Sequence, residues 1–318
     1  MPDAQARGAV SVVIPTRDRA DLLAVTLRSV LDQTRPPAHV IVADDGSTDH
    51  TRRVVEEAGA RLVPNPDGGW GASAARNAGL EVVETAYVAF LDSDDLYRPR
   101  ALERLQTALE AHEGAPFAYG QALAARRTPE GWAHEGVIKP LPRELSDPLG
   151  SLFARNSVPS GGALVRTEAA KAIGGYDPGI AFSEDHAFWL RLAQNGEPAY
   201  LPDVVCIHRR HGGNRGSPVV AFRAEGQIDA FADDDPRLAR TLPRRRGVLV
   251  CELAIDAVHR RSPRQLGVAL RELLVRPHGR LRAARSAVRQ FRDRRALGRA
   301  GETLLEQDLE LRDWLAGY

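Results

Sequence analysis

The sequence predicts an α/β protein, in which a mainly parallel, Rossmann-like sheet is flanked by helices and followed by a helical C-terminal extension. Two observations predict this class. Short apolar runs alternate with amphipathic runs through the first hundred residues, which is the pattern of parallel strands connected by helices. The composition of the 318 residues, with 43% hydrophobic and 27% charged side chains, is typical of a soluble globular chain rather than a disordered one.

The elements of the first half follow one another in order. Val10–Ile14 is a run of mostly β-branched residues that Pro15 ends, and positions 21–33 carry leucine and valine at helical spacing. Apolar runs at 39–43, 61–64 and 87–91 predict three further strands, and amphipathic runs at 48–58 and 73–84 predict the helices between them.

The second half is less regular. Residues 117–125 and 131–137 predict a hairpin, 161–166 and 199–207 predict strands, and 183–193 predict a helix. We expect one domain over residues 1–218, divided into halves at about 1–100 and 101–218. A mainly helical, arginine-rich region is expected over 219–318, because residues 258–300 hold 13 arginines against only Glu272 and Asp293.

Charge and cysteine content exclude several classes of protein. The 43 basic and 42 acidic side chains leave a net charge of +1, which argues against an electrostatic nucleic-acid binder. Two cysteines cannot make a disulfide framework or a four-cysteine zinc site, and we interpret them as free thiols. No apolar run approaches the ~18–20 residues that cross a bilayer. The chain is therefore predicted to be cytoplasmic.

The strongest chemical signal is Asp92-Ser93-Asp94-Asp95, directly after the predicted strand at 87–91. Closely spaced carboxylates repel one another, so a cation is expected among them. Mg²⁺ and Mn²⁺ prefer oxygen ligands and commonly bridge to substrate phosphates. The alternative is a solvated turn in which Asp95 caps a helix.

Four other segments could bind or transform a ligand, and each has a plain alternative. Asp44 and Asp45 follow a strand and could accept hydrogen bonds from a ribose or base, or simply form a capped turn. Arg76 lies in a glycine-rich stretch that could approach a ligand or be a flexible loop. The acidic start of the 183–193 helix could supply a general base or only complement the helix dipole. The cations of 208–217 could neutralise a diphosphate or form a solvated basic loop.

Taken in order, five segments of the chain resemble glycosyltransferase family 2. They are VVIPTRDR at 12–19, VADDGSTD at 42–49, GGWGASAARNAG at 68–79, VAFLDSDD at 88–95 and GGYDPGIAFSEDHAFWLRLAQNG at 174–196. The resemblance covers about residues 9–217 and implies the GT-A fold and a nucleotide-activated sugar as donor. It makes residues 1–218 the catalytic domain, with a nucleotide-sugar half followed by an acceptor half.

The resemblance also implies a role for individual positions. Asp185 would be the catalytic base, and the donor nucleotide would contact Thr16, Asp45, Arg76 and Asp92. Asp94 and Asp95 would hold Mg²⁺ or Mn²⁺ as the family's DxD region, with His211 as a further candidate ligand. Arg210 and Arg215 would contact the diphosphate, and the acceptor would lie near Ser160, Gly161 and Glu184.

The implied reaction is an inverting hexosyl transfer from a UDP-, GDP- or dTDP-sugar to a carbohydrate or lipid-linked acceptor. Its products would be cell-surface glycans, glycolipids or glycosylated metabolites. The absence of a Gln-x-x-Arg-Trp motif favours transfer of one or a few sugars. The alternatives are a sugar-nucleotide-forming nucleotidyltransferase, disfavoured because Pro15–Asp18 contains no glycine, and a non-catalytic nucleotide- or carbohydrate-binding module.

Residues 281–292 alternate apolar and arginine positions at helical spacing. One hypothesis is a basic helix that docks on anionic lipid at the inner face of the membrane. The other is a helix packed on the catalytic domain with solvated arginines. Salt-sensitive sedimentation with anionic vesicles separates the two.

Overall fold

This computed structural model describes residues 9–65, 69, 71–129, 131–180, 182–211, 226–259, 266–267, 314–315 and 318. The described chain is an α/β protein, as the sequence predicts. Its strands are β1 Val10–Thr16, β2 His39–Asp44, β3 Arg61–Pro64, β4 Tyr87–Phe90, β5 Leu96–Tyr97, β6 Phe117–Thr128, β7 Gly131–Ile138, β8 Ala163–Arg166 and β9 Ala199–Arg210.

Helices flank this sheet. They are α1 Ala20–Leu31, α2 Thr51–Glu57, α3 Gly71–Glu81, α4 Ala101–Glu110, α5 Pro148–Ala154, α6 Thr167–Ala172 and α7 Glu184–Ala193, followed by Phe231–Asp234, Pro236–Ala239 and Leu242–His259. Short 3₁₀ turns occupy Pro142–Glu144 and Ser160–Gly162. Among the described helices, none combines the length and the apolar character needed to cross a bilayer.

The strands form one sheet in the order β3-β2-β1-β4-β8-β6-β9-β5, with β7 paired to β6. Strands β1 to β4 are parallel, as expected from their helical connections. In the second half, β8 pairs antiparallel with β4 and β6, and β5 pairs antiparallel with β9. The predicted hairpin is confirmed by β6 and β7, which join at Thr128 and Gly131. Every antiparallel pair of the described sheet thus includes a strand from the second half, where the sequence does not alternate regularly between apolar and amphipathic runs.

Strand β1 shows why the sheet is covered on both faces. Val12 packs with the core under α1, whereas Val13 packs with the core under α3, because successive side chains of a strand point to opposite faces. Helix α3 comes close to the sheet at Gly79, where a Cβ atom would lie 2.4 Å from Cγ1 of Val13. A larger residue there would push α3 away from β1.

Several boundaries differ from those that the sequence predicts. The helix expected from position 48 begins at Thr51, since the Asp49 carboxylate accepts hydrogen bonds from the backbone N–H groups of Thr51 and Ala20. Strand β9 continues to Arg210, beyond the expected end at 207. Helices α4, α5 and α6 and strand β5 have no counterpart in the sequence-based prediction. The basic segment 281–292 lies outside the described residues.

Two described parts of the C-terminal third contact the sheet domain. In the Leu242–His259 helix, Arg245 donates from Nη1 to the Phe153 carbonyl at 2.7 Å, at the end of α5. Trp132 of β7 donates from its indole nitrogen to the Leu315 carbonyl at 2.9 Å, and the Tyr318 hydroxyl donates to Asp32 beside α1 at 3.3 Å. The described C-terminal residues are therefore packed against the rest of the protein.

Candidate active site

The carboxyl ends of β1, β2 and β4 meet at one edge of the sheet, because these strands are parallel neighbours. Thr16 ends β1, Asp44 ends β2 with Asp45 directly after it, and the Asp92–Asp95 turn follows β4. Ligands of open α/β sheets bind at such an edge. The structure therefore brings together the acidic segments that the sequence singled out.

Asp45 lies at this edge, directly after the end of β2. Its side chain is 6% exposed and accepts hydrogen bonds from Asn65 Nδ2 at 3.2 Å and from the Gly71 backbone N–H at 3.1 Å. Nearby, the buried Thr16 hydroxyl has no hydrogen-bond partner within the described part of the chain. A buried hydroxyl without a partner costs free energy, so a ligand atom is a reasonable partner for it.

The charged Arg17-Asp18-Arg19 segment is held by specific contacts. Asp18 has a left-handed backbone, with φ of 49°, and accepts from the Thr48 backbone N–H at 2.7 Å. This hydrogen bond, the largest influence, holds the pKa of Asp18 below its ordinary value. Arg19 donates from Nη1 to Asp94 at 2.7 Å. The segment thus ties the turn after β2 to the turn after β4.

The carboxylates of Asp94 and Asp95 have different surroundings. Asp95 is 1% exposed and faces inward, where His208 Nδ1 lies 3.1 Å from both carboxylate oxygens and the Arg209 N–H donates at 3.0 Å. Burial raises the pKa of Asp95 above its ordinary value, against the opposing charge of His208. Asp94 instead contacts Arg19 and lies 2.9 Å from His211 Nε2.

The donor set fits a metal ion only in part. Within the described ranges, no group of three metal-ligating side chains comes together. Mg²⁺ is commonly held by one or two carboxylates together with substrate phosphates. Asp94 supplies one such carboxylate, with the imidazole nitrogen of His211 beside it, so these residues fit an ion that takes its remaining ligands from a diphosphate. The Asp95 oxygens are already engaged by His208 and Arg209.

Asp185 lies at the start of α7, half-buried. Its Oδ2 accepts from Asn156 Nδ2 at 3.0 Å and from the Ser160 hydroxyl at 3.1 Å, and Oδ1 accepts from the His186 N–H at 2.8 Å. Burial, and after it the negative charge of Glu184, raise the pKa of Asp185 to about 6. A carboxylate with a pKa near neutrality suits a general base.

Arg76 connects the two acidic segments. The residue is 4% exposed, and its guanidinium donates from Nη2 to Asp92 at 2.6 Å and from Nη1 to Glu184 at 3.2 Å. Burial alone would raise the pKa of Asp92, but the charge and hydrogen bond of Arg76 outweigh it and hold that pKa below its ordinary value. Asp92 and the Glu184–Asp185 pair therefore lie on the same side of the sheet edge.

The remaining sequence-predicted positions are placed as follows. Gly161 packs under the turn after β4, where a Cβ atom would lie 2.7 Å from Leu91 Cδ1 and 3.9 Å from Asp95 Oδ2. Arg210 is exposed at the end of β9. Arg215 lies outside the described residues, and its predicted contact with a diphosphate stays a prediction.

Sequence reasoning missed four residues that contact the site. Asn65 and Asn156 carry no local signal, because single asparagines are common in loops. His208 and Arg209 lie in the basic segment 208–217, whose cations were expected to neutralise a diphosphate, but their contacts with Asp95 were not predicted. Their alternation along β9 could have indicated that neighbouring positions face opposite sides of the sheet.

Comparisons with known proteins agree on one family. The family model described as Glycosyl transferase family 2 matches residues 11–171. The chain is 32% identical over 205 residues to the "Putative teichuronic acid biosynthesis glycosyltransferase TuaG" of Bacillus subtilis (strain 168). That match covers 60% of this chain and 74% of TuaG.

Two solved structures have a similar fold. S. aureus TarS 1–349 in complex with UDP-GlcNAc aligns with a TM-score of 0.58 and 20% identity, covering 76% of this chain and 70% of that chain. The mannosyltransferase PcManGT from Pyrobaculum calidifontis, in complex with GDP-Man and Mn²⁺, aligns with a TM-score of 0.57 and 20% identity, covering 96% and 87%. At this level of identity, the likeness shows the fold alone.

Proposed function

The chain belongs to glycosyl transferase family 2, with a GT-A fold, and from that premise we propose a metal-dependent transfer of a sugar from a nucleotide-sugar donor, with inversion. It is a glycosyltransferase by family, which favours transfer over sugar-nucleotide formation or simple binding. The proposed acceptor is a hydroxyl group, and the proposed base is Asp185.

The observation that carries this proposal is the surroundings of Asp185. Two neutral donors, Asn156 and Ser160, engage Oδ2, while burial raises the pKa of the carboxyl to about 6. The group is therefore ionised at neutral pH yet basic enough to accept a proton. Through Glu184 and Arg76, it is connected to the carboxylates of the donor side.

For the donor, we place the nucleotide along the ends of β1 and β2. The unpartnered Thr16 hydroxyl and the Asp45 carboxylate are hydrogen-bonding groups suited to a nucleoside. Asp92 would lie near the ribose. The TarS structure holds UDP-GlcNAc and the PcManGT structure holds GDP-Man, which supports a UDP- or GDP-sugar here, with a dTDP-sugar as the third candidate.

Asp94 and His211 would hold Mg²⁺ or Mn²⁺ together with the donor diphosphate. When bound, the ion supplies positive charge that stabilises the diphosphate as it departs. Support comes from the Asp94–His211 geometry and from the Mn²⁺ in the PcManGT complex. The exposed Arg210 and, as the family resemblance implies, Arg215 would add positive charge to bind the diphosphate.

In the proposed reaction, Asp185 accepts the proton of the acceptor hydroxyl. The acceptor oxygen forms a bond to C1 of the donor sugar from the face opposite the diphosphate. The bond between C1 and the phosphate oxygen breaks, and its electron pair leaves with the nucleoside diphosphate. Bond formation and departure on opposite faces invert the anomeric centre.

We place the acceptor beside the Ser160–Gly162 turn and Glu184, next to the proposed base. The relative TuaG is named for teichuronic acid biosynthesis. That name supports a carbohydrate or lipid-linked acceptor in cell-surface glycan synthesis. We also propose contact with anionic lipid through residues 281–292, which their arginines at helical spacing support.

The test is release of nucleoside diphosphate from a panel of UDP-, GDP- and dTDP-sugars with Mn²⁺, since slow donor hydrolysis needs no identified acceptor. We expect Asp185→Asn to lower the rate at least ~100-fold, because a general base contributes about 10²–10⁴. Binding of the free nucleoside diphosphate should be unchanged. Asp21→Asn is the matched control, since that carboxylate lies exposed in the first turn of α1 and pairs with the exposed His50, away from the candidate site.

Near-normal hydrolysis by Asp185→Asn would contradict the assignment of the base. A panel in which no donor is bound or hydrolysed with Mn²⁺ would contradict the proposed activity as a whole.

A further inference from the structure

Arg76 and Asn77 of α3 hold the segment that leads into α7. Asn77 donates from Nδ2 to the Tyr176 carbonyl at 2.7 Å and accepts from the Tyr176 N–H at 2.8 Å. Next to it, the Arg76 guanidinium lies over the Tyr176 ring, 5.0 Å from its centre. The paired hydrogen bonds fix the backbone of Tyr176, and the ring then supports the guanidinium from one side.

Space around this contact is limited. A Cβ atom on Gly175, whose φ is +71°, would lie 2.3 Å from Asn77 Oδ1. Below the guanidinium, the Tyr176 ring stacks on Phe188 of α7 at 4.1 Å. Arg76, on α3 in the first half of the domain, therefore packs on the stacked rings of Tyr176 and Phe188, which belong to the second half.

The guanidinium is committed to carboxylates of the protein. Its two terminal nitrogens donate to Asp92 and to Glu184, and its surroundings are closed to solvent. Its Nε is buried and has no hydrogen-bond partner among the described residues. The contact with a nucleotide base that the family resemblance implies stays a prediction, whereas the bridge between Asp92 and Glu184 is present in the structure.

We propose that Arg76 is a positioning residue for the reaction, which neutralises Glu184 and holds the start of α7 so that Asp185 stays ionised and aimed at the acceptor. The inference rests on the proposed function, because it assumes that Asp185 is the base. It deepens that function by giving Arg76 a part in the chemistry rather than in recognition of the nucleotide.

The charges around Asp185 give the expected direction. Glu184 on the same helix raises the pKa of Asp185, after burial, whereas Arg76 on α3 lowers it. Asp92 faces the same guanidinium from the turn after β4, and Tyr176 lies under it. The contacts from the 156–160 loop are neutral, through Asn156 and Ser160. Loss of Arg76 would leave Glu184 uncompensated and raise the pKa of Asp185 further.

The experiment measures donor hydrolysis against pH, with whichever of UDP-GlcNAc, UDP-glucose or GDP-mannose the wild type hydrolyses fastest. We expect the acid limb of the wild-type profile near pH 6. Arg76→Gln should move its midpoint up by about one pH unit, which is a roughly fivefold loss of rate at pH 6 and a nearly tenfold loss at pH 5. Arg76→Lys keeps the charge and should move the midpoint less.

Two further variants guard against a folding defect. Glu184→Gln keeps Arg76 and should move the midpoint down, because it removes the neighbouring negative charge. Arg76→Gln combined with Glu184→Gln should return the midpoint towards the wild type. Arg166→Gln is the matched control, since Arg166 lies over the Tyr87 ring at 5.9 Å and donates to backbone carbonyls away from the site. It should lower the melting temperature without moving the midpoint.

Binding of the matching nucleoside diphosphate at pH 8.5 separates the two possible roles of Arg76. Unchanged binding together with the shifted midpoint supports the bridge. Loss of binding without a shift, or no downward shift in Glu184→Gln, would overturn it. If Asp185→Asn itself keeps normal hydrolysis, the proposed function fails first, whatever the Arg76 variants do.

Discussion

At the scale of single residues, the Asp185 carboxyl is costly to ionise in the folded protein. Burial and the neighbouring Glu184 raise its pKa to about 6, against an ordinary value near 4. Below the unfolded-state pKa the group is protonated in both states and has no effect on stability. As the pH rises from the unfolded-state pKa to the folded-state pKa of about 6, the carboxyl ionises first in the unfolded state, so the free energy of unfolding falls and then levels off at higher pH.

Asp185→Asn should therefore stabilise the protein at pH 8, by about 2 kcal/mol, and have little effect at pH 4. His186 titrates in both proteins, so its influence cancels in the comparison. Urea unfolding of wild type and variant at the two pH values measures this difference. Equal changes in the free energy of unfolding at both pH values would mean that folding does not raise the pKa of the Asp185 carboxyl.

Single residues also differ in whether the sequence could identify them as part of the site. Asp185 could be selected because it begins a helix beside another acid and lies in a recognisable motif. Asn156, which donates to it, could not be selected, because the contact joins residues 29 positions apart across a loop without periodicity. The same holds for Asn65 and Asp45, which are 20 positions apart.

At the scale of elements, the end of α5 is the place where three segments meet. His186 of α7 lies with Nε2 2.7 Å from the Leu152 carbonyl, and Arg245 donates to the Phe153 carbonyl. Unpaired carbonyls at a helix end need such partners. Because Asn156 follows directly after this helix end, the Leu242–His259 helix supports the loop that holds Asp185.

Arg245→Met should destabilise the protein by about 2–4 kcal/mol, since it removes a buried charge from Asp229 and leaves the Phe153 carbonyl without that donor. Arg246→Met is the matched control. Arg246 binds the same Asp229 at 2.9 Å but is 44% exposed, so its loss should cost less than about 1 kcal/mol. Chemical unfolding measures both, and similar losses for the two variants would contradict the supporting role of Arg245.

Most elements with strong periodicity were predicted, although α4 was missed despite the helical spacing of Leu102, Leu105 and Leu109, whereas elements that depend on distant contacts were not predicted. Strands β1, β2 and β4 are continuous apolar runs that helices cover on both faces, and this pattern is visible locally. Helix α5 is seven residues long and is stabilised by side chains from α7 and from the C-terminal helix. Its sequence alone gives too short a repeat to indicate a helix.

At the scale of the whole molecule, donor and metal should bind together, because the proposed ion takes ligands from both the Asp94 carboxylate and the donor diphosphate. We expect UDP or GDP at hundredfold excess over its dissociation constant to stabilise the protein by about 2.7 kcal/mol with Mn²⁺, and by much less in EDTA. Asp94→Asn should abolish the difference between the two conditions, while Asp21→Asn should keep it. Thermal melts with each nucleotide measure this.

If Asp94→Asn retained the full Mn²⁺-dependent shift, the proposed ligand role of Asp94 would be wrong. A wild-type shift that is the same in Mn²⁺ and EDTA would argue for neutralisation of the diphosphate by side chains, with Arg19 beside Asp94 as the nearest cation of the described site.

The sheet has one more consequence. Strand β4 hydrogen-bonds to β1 on one side and to β8 on the other, so the halves that would bind donor and acceptor share a continuous ladder. Separating the two halves would break main-chain hydrogen bonds, so a hinged opening between them would cost too much free energy to be the route by which substrates enter. Substrate entry, product exit and acceptor selectivity are then expected to depend on the loops above the strand ends. Exchanging these loops between relatives could change the acceptor selectivity while the sheet beneath stays the same.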